Sequence, residues 1–174
     1  MFEGDFTMHN ELTEVDIKKM QEEIDYRVNV LRPQLIEEVK RTREYGDLSE
    51  NAEYRLARAD RGKNESRIRY LKAMIETAKV IDTKSNADEI GLFDTVELFM
   101  EDEEEVEKIK LVTTLRQNTL EGLVSKDSPI GRALMGHKVG DRVHIKVNDK
   151  YSYFAVVRSI EKGSDDESIP INRY

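Results

Sequence analysis

The sequence predicts an α+β protein in two parts. The first is an N-terminal antiparallel α-helical coiled-coil hairpin, and the second a small C-terminal domain with an antiparallel β-sheet and one short helix. Two patterns carry the prediction. Ile17, Met20, Ile24, Leu31, Leu35 and Val39 recur at helical spacings, and after a polar break Ala57, Ile68, Leu71, Ile75 and Ala78 do the same. Past the linker the period changes to that of strands, as where Val143, Ile145 and Val147 alternate with polar residues.

Taken in order, Met1–Glu11 has no periodicity and reads as a flexible extension. Thr13-Glu-Val-Asp16 reads as an N-cap followed by first-turn acids, which starts the first helix near Glu14. Pro33 lies inside the periodic run and predicts a bend or a stagger, because it removes an amide and crowds residue 29. Gly46 tolerates the left-handed C′ conformation and stops the first arm. The second helix is expected over about Leu48–Ala78, with Arg61 and Asn64 at seam positions where apolar residues belong. Each arm has roughly 30 residues, so the hairpin reaches on the order of 45 Å. Its expected bounds are 12–82, with the tip at 45–54, a polar linker at 83–89 and the C-terminal domain at 90–174. There, Phe93–Met100 and Lys108–Leu115 read as strands around the acidic turn Glu101–Glu107, and Leu120–Val124 as a third. Ser128-Pro129 reads as N-cap and N1 of a short helix that Gly136 ends. Val143–Val147 and Tyr151–Ile160 are strands around an Asn148-Asp-Lys150 turn, and polar Gly163–Ser168 is expected to be disordered at its start.

Composition narrows the function. Charged residues are 37% and hydrophobic residues 38% of 174, which suits an elongated protein with much solvated surface. There is no cysteine, which excludes disulfides, thiolate zinc sites and a Cys nucleophile and fits a reducing cytoplasm. No run of 18 apolar residues is present and the N-terminus has no apolar core of a secretory signal, so neither a membrane span nor secretion is expected. A net charge of −8 argues against free duplex DNA as the main partner. The charge is uneven: Arg41–Arg69 is net +2, whereas Lys84–Lys110 is net −7. His9, His137 and His144 are scattered without a second ligand at metal spacing, and no phosphate loop or nucleophile elbow occurs.

The tip, Tyr45-Gly-Asp-Leu-Ser-Glu-Asn-Ala-Glu-Tyr54, carries Asp47 and Glu50. One reading is a capping box, with Asp47 accepting from the N3 amide and Glu50 reaching back. The other is a presented pair of carboxylates. Three apart near a helix start, they lie on neighbouring positions and suit one Mg²⁺, which takes one or two carboxylates besides water and phosphate. They do not make a nuclease alone, because the chain offers no second cluster to hold a metal pair.

Gly46–Tyr54 closely resembles the tip of the bacterial Gre transcript-cleavage factors, which bind RNA polymerase. The resemblance extends to Leu31-Arg-Pro33, Arg67-Ile68, Ala78–Asp82, Ser128-Pro-Ile-Gly-Arg-Ala-Leu-Met-Gly136 and Val139–Val143, and covers about Leu12 to Ile160. It implies a C-terminal FKBP-like domain that docks on the rim of the polymerase secondary channel, the docking region matching Ser128, Pro129, Arg132 and Gly136. It implies that the coiled coil enters that channel and that Asp47 and Glu50 help hold the second Mg²⁺ and a water in the polymerase active site. Backtracked RNA is then cut by the polymerase, so the expected protein is a cofactor and not itself an enzyme. The free protein binds no metal stably. Ser49 is expected to orient a water. Arg58 matches a position that contacts the nascent RNA 3′ segment, and Arg55 and Arg61 lie nearby. Tyr45 and Tyr54 flank the tip, either packing on the hairpin end or contacting RNA or polymerase. A cytoplasmic monomer is expected. A Gre-like inhibitor that plugs the channel without promoting cleavage is the alternative. One departure stands out: Arg116-Gln-Asn118 replaces an acidic segment, which would alter docking or domain orientation.

Overall fold

The fold follows from a computed structural model of the chain, in which residues 11–44, 51–165 and 167–172 are described. In chain order its elements are β1 (Glu11–Leu12), α1 (Glu14–Tyr26), a π-helical turn (Arg27–Leu31), α2 (Arg32–Arg43), α3 (Ala52–Glu76), β2 (Lys79–Val80), β3 (Thr95–Met100), β4 (Glu105–Val112), β5 (Leu123–Ser125), α4 (Pro129–Leu134), β6 (Arg142–Lys146) and β7 (Ser152–Glu161). Two compact units result. One is Ile17–Ala78; the other joins the segment ending at Asp16 to Lys79–Tyr174. The compact units divide at 78/79, and Leu12–Asp16 groups with the C-terminal domain. Pairing explains why: β1 and β2 run parallel, with Leu12 opposite Val80, and the Ile81 amide donates to the Leu12 carbonyl at 3.0 Å.

In the helical unit α1, α2 and α3 form the expected hairpin. Met20 and Ile24 of α1 and Ala57, Ile68, Leu71 and Met74 of α3 are buried. Cross-helix bonds fall from Glu23–Arg67 to Arg27–Asn64 and Asn51–Thr42, one number rising as the other falls, so the arms are antiparallel. Pro33 does not break the helix. The turn before it widens to a π-helix in which the Arg32 amide bonds back to the Arg27 carbonyl, which accommodates a residue with no amide of its own. Asn64 is in the seam, 2% exposed, whereas Arg61 is exposed and outside it. The seam is polar at this level. Arg67 places Nε and Nη2 on the two Glu23 oxygens, both at 3.0 Å, and Arg27 bonds Glu23 at 2.7 Å and Asn64 at 3.1 Å. Such groups are costly to bury but specify register, because a slip would leave each without its partner.

The other unit holds a five-stranded sheet in the order β5-β4-β3-β7-β6. Alternation places Val96, Leu98 and Met100 of β3, Ile109 and Leu111 of β4, Val143 and Ile145 of β6, and Ala155 and Val157 of β7 in one core with Leu134 of α4. The sheet is mixed: β4 and β5 pair in parallel, against the all-antiparallel expectation. The third strand also starts later than expected, because Thr119–Glu121 forms a 3₁₀ turn that leaves Leu120 99% exposed. Asp94 is buried and accepts bonds from the amides of Gly91 and Gly163. Gly163–Asp165 and Glu167–Asn172 return across this unit, where disorder was expected at the start (residue 166 is outside the described set). Ile169 packs against Leu92, Phe93 and Val112.

Candidate functional site

At the end of the hairpin α2 finishes at Arg43, and α3 begins at Ala52 with Asn51 as its N-cap. Asn51 makes two bonds. Its Oδ1 accepts from the Tyr54 amide at 3.0 Å and its Nδ2 donates to the Thr42 carbonyl at 2.9 Å. Thr42 is itself buried, its hydroxyl bonded to the Glu38 carbonyl at 2.9 Å. One amide side chain therefore caps one helix and holds the last turn of the other. Tyr45, Asp47, Ser49 and Glu50 fall between these two helices and lie outside the described residues. The capping-box reading does not survive for α3. Asp47 at the N-cap and Glu50 at N3 require a helix that starts near Leu48, and this helix starts four residues later on a different cap. The signal was in the sequence: Asn is among the strongest N-cap residues, and Glu53 follows it in the first turn.

The basic residues behind the tip divide into two groups. Arg32 is held bidentate by Glu65, both bonds 2.7 Å, and Arg41 by Glu38 at 2.9 and 2.6 Å, and Arg67 is buried on Glu23. Arg55, Arg58 and Arg61 are exposed and lack an ion-pair partner among the described residues. Arg58 sits 5.8 Å from the ring centroid of half-buried Tyr54, a cation–π contact that orders the side chain without neutralising it. Arg61 acts at a distance on Glu65: hydrogen bonds from Arg32 do most to hold that carboxyl below its ordinary value, and the Arg61 charge adds to them.

In the sheet unit, Ser128 caps α4. Its hydroxyl accepts from the Gly131 amide at 3.0 Å and donates to the Ser125 carbonyl at 2.7 Å. Pro129 follows in the first turn. A Cβ at Gly131 would lie 2.1 Å from the Ser125 oxygen, so only glycine lets α4 approach this strand end. Gly136 has φ +81 and its amide bonds the Ile90 carbonyl at 2.9 Å, closing the helix. Of the four expected docking residues, Ser128, Pro129 and Gly136 shape the helix, and Arg132 is exposed. Beside them runs a groove lined by Ile109, Leu123, Val124 and Ile130. His137 pairs with Asp141 at 2.9 Å and His144 stacks on Phe154, so the two do not converge.

Arg116 is not a surface residue and cannot alter docking directly. Its side chain is 0% exposed and bonds Asp16 Oδ1 at 2.6 Å. Sequence spacing gave no sign of this pairing, since the partners are 100 residues apart.

Two family models match the chain in succession. A family model described as "Transcription elongation factor, N-terminal" matches residues 10–80, and one described as "Transcription elongation factor, GreA/GreB, C-term" matches residues 84–162. The chain belongs to the GreA/GreB transcription elongation factor family. Among the relatives is the transcription elongation factor GreA of Mesoplasma florum, 38% identical over 143 residues, or 81% of this chain and 92% of that protein. GreA of Mesomycoplasma hyopneumoniae is 36% identical over 141 residues, covering 81% and 88%. GreA of Caldanaerobacter subterraneus subsp. tengcongensis is 38% identical over 137 residues, covering 78% and 87%. No helix among the described residues is long and apolar enough to cross a membrane.

Proposed function

We propose that this member of the GreA/GreB family binds RNA polymerase in the cytoplasm, inserts the tip of its hairpin through the secondary channel and stimulates cleavage of backtracked RNA by the polymerase active site. The observation that carries the assignment at residue level is the cap at Asn51. It frees Asp47 and Glu50 from the task of starting α3. Their chemistry suits Mg²⁺: two hard carboxylate donors, with the remaining positions left to water and phosphate oxygens. In this reading Asp47 and Glu50 supply oxygens to a metal ion held jointly with the polymerase, and Ser49 orients a water. The ion, when bound, activates that water and neutralises charge at the scissile phosphate. Arg58, with Arg55 and Arg61, presents exposed guanidinium groups, without an ion-pair partner among the described residues, to the phosphates of the RNA 3′ segment. Tyr54 holds Arg58 in place. The sheet unit docks on the polymerase through the α4 region around Arg132. The factor therefore completes a site in trans and is a cofactor of the polymerase's own nuclease.

The test is a stalled, backtracked elongation complex incubated with each protein at several Mg²⁺ concentrations. Asp47→Asn and Glu50→Gln are expected to melt like the parent, compete with it for polymerase, and lose stimulation, with partial rescue at high Mg²⁺. Near-parental cleavage by both variants would remove the metal-ligand role.

A further inference from the structure

The family matches end at residue 162, yet the chain beyond it is held at several points. Lys162 begins the segment with four acceptors around one ammonium: Ser85 Oγ at 2.7 Å, the carbonyls of Asn86 at 3.1 Å and Glu89 at 2.9 Å, and buried Asp94 at 2.6 Å. Gly163 follows on the other Asp94 oxygen at 3.0 Å, and its Cα lies so close to the Phe93 carbonyl that an added Cβ would sit 1.9 Å from it. Asp165 Oδ1 reaches Arg116 Nη2 at 2.8 Å. Ile169 seats on the Leu92, Phe93 and Val112 cluster. Asn172 closes the run, its amide on the Leu115 carbonyl at 2.7 Å and its Nδ2 on the Gln117 carbonyl at 2.9 Å.

One of these contacts, Asp165, is on Arg116 itself, and another, Ile169, is on Phe93 beside it. The Arg116 guanidinium bonds Asp16 on one side, approaches Thr13 Oγ1 at 3.4 Å, and meets Asp165 on the other. It also lies 5.0 Å from the centroid of Phe93, a buried residue held at φ +68, where a bulky side chain is strained. Asp16 is equally committed. Its Oδ2 accepts from the Thr13 amide while the Asp16 amide donates to Thr13 Oγ1, which makes the pair the capping box of α1. One buried carboxylate thus starts a helix with one oxygen and binds Arg116 with the other. Buried ions of this kind hold only while every partner stays in place and water stays out.

We infer that the C-terminal segment Lys162–Asn172 is a strap that seals the Asp16–Arg116–Asp165 triad and so controls how firmly the capped start of α1 is held. Undocking it admits water to the guanidinium, loosens the Asp16 carboxylate, and lets the first turn of α1 open while the sheet stays folded. The inference does not depend on the proposed tip chemistry.

Native-state hydrogen exchange on the full chain tests it, comparing the parent with Asp165→Asn/Ile169→Ser. The Thr13 and Asp16 amides are expected to exchange faster by about tenfold or more, the change that ~1.4 kcal/mol of lost local protection produces. The Glu101 amide, bonded across to the Phe154 carbonyl of β7 at 3.1 Å, and the Val157 amide, bonded to the Asp141 carbonyl at 2.9 Å, are expected to keep the parental rate. Should the double variant not fold, Asp165→Asn alone carries the same comparison. Parental exchange at Thr13 and Asp16 in a folded variant, or acceleration spread evenly over β3 and β7, would overturn the strap.

Discussion

Asn51 offers the sharpest check on how the tip is presented, because one side chain carries two separable bonds. Replacing it with Ala removes both. Loss of an N-cap costs about 0.5–2 kcal/mol. Loss of the Nδ2 bond to the Thr42 carbonyl costs about 0.5–1.5 kcal/mol more. Together they predict roughly 1–3.5 kcal/mol from the tip end of the hairpin, and about 4–8 °C in melting temperature for each kcal/mol that reaches the global transition of a unit this small. Asn51→Asp separates the terms. Aspartate caps as well as asparagine, but it has no amide to donate and sets a carboxylate against the Thr42 carbonyl. It is expected to keep the protection of the Tyr54 amide and lose about half of the stability that Asn51→Ala loses. On the proposed function, both variants are expected to stimulate cleavage less than they compete for polymerase, since the helix ends that flank Asp47 and Glu50 are no longer tied together by the Asn51–Thr42 bond. Circular-dichroism melting and exchange at Tyr54 are the assays. Parental melting in both variants, or loss of Tyr54 protection in Asn51→Asp, would refute the two-bond account.

Two further outcomes are expected. Burial alone would raise the Glu23 carboxyl, but hydrogen bonds from Arg67 and then Arg27 outweigh it and hold its pKa below the ordinary 4.5. A depressed carboxylate contributes stability that is present above its unfolded value and lost as pH falls through its folded one, so the helical unit is expected to weaken below about pH 4.5. Glu23→Gln should abolish that acid dependence and lower the melting temperature at neutral pH, because Arg67 remains buried after losing the Glu23 charge. Gly131→Ala is expected to cost about 1–3 kcal/mol through a clash with the Ser125 backbone and to weaken docking to polymerase, measured by melting and by competition with the parent.

What the sequence determined by itself was local. Apolar spacing defined the hairpin and its arms, and alternation defined β3, β6 and β7, because both periods arise within a few neighbouring residues. Thr13 and Ser128 were readable as caps because a cap acts over three residues. Asn51 was equally readable, but Asp47 and Glu50 matched the same pattern four residues earlier, and only the observed start of α3 separates the two. The tip motif pointed to a chemistry that the described residues frame without containing. Other features depended on partners far along the chain. The parallel seating of β5 on β4 gives no period of its own. The polar seam joins Glu23 to Arg67, 44 residues on. Arg116 read from sequence as a departure bearing on docking or domain orientation, and folding buries it between Asp16 and Asp165. A buried ion is tolerable only where counter-charges converge from distant segments, and that convergence is a property of the tertiary structure alone.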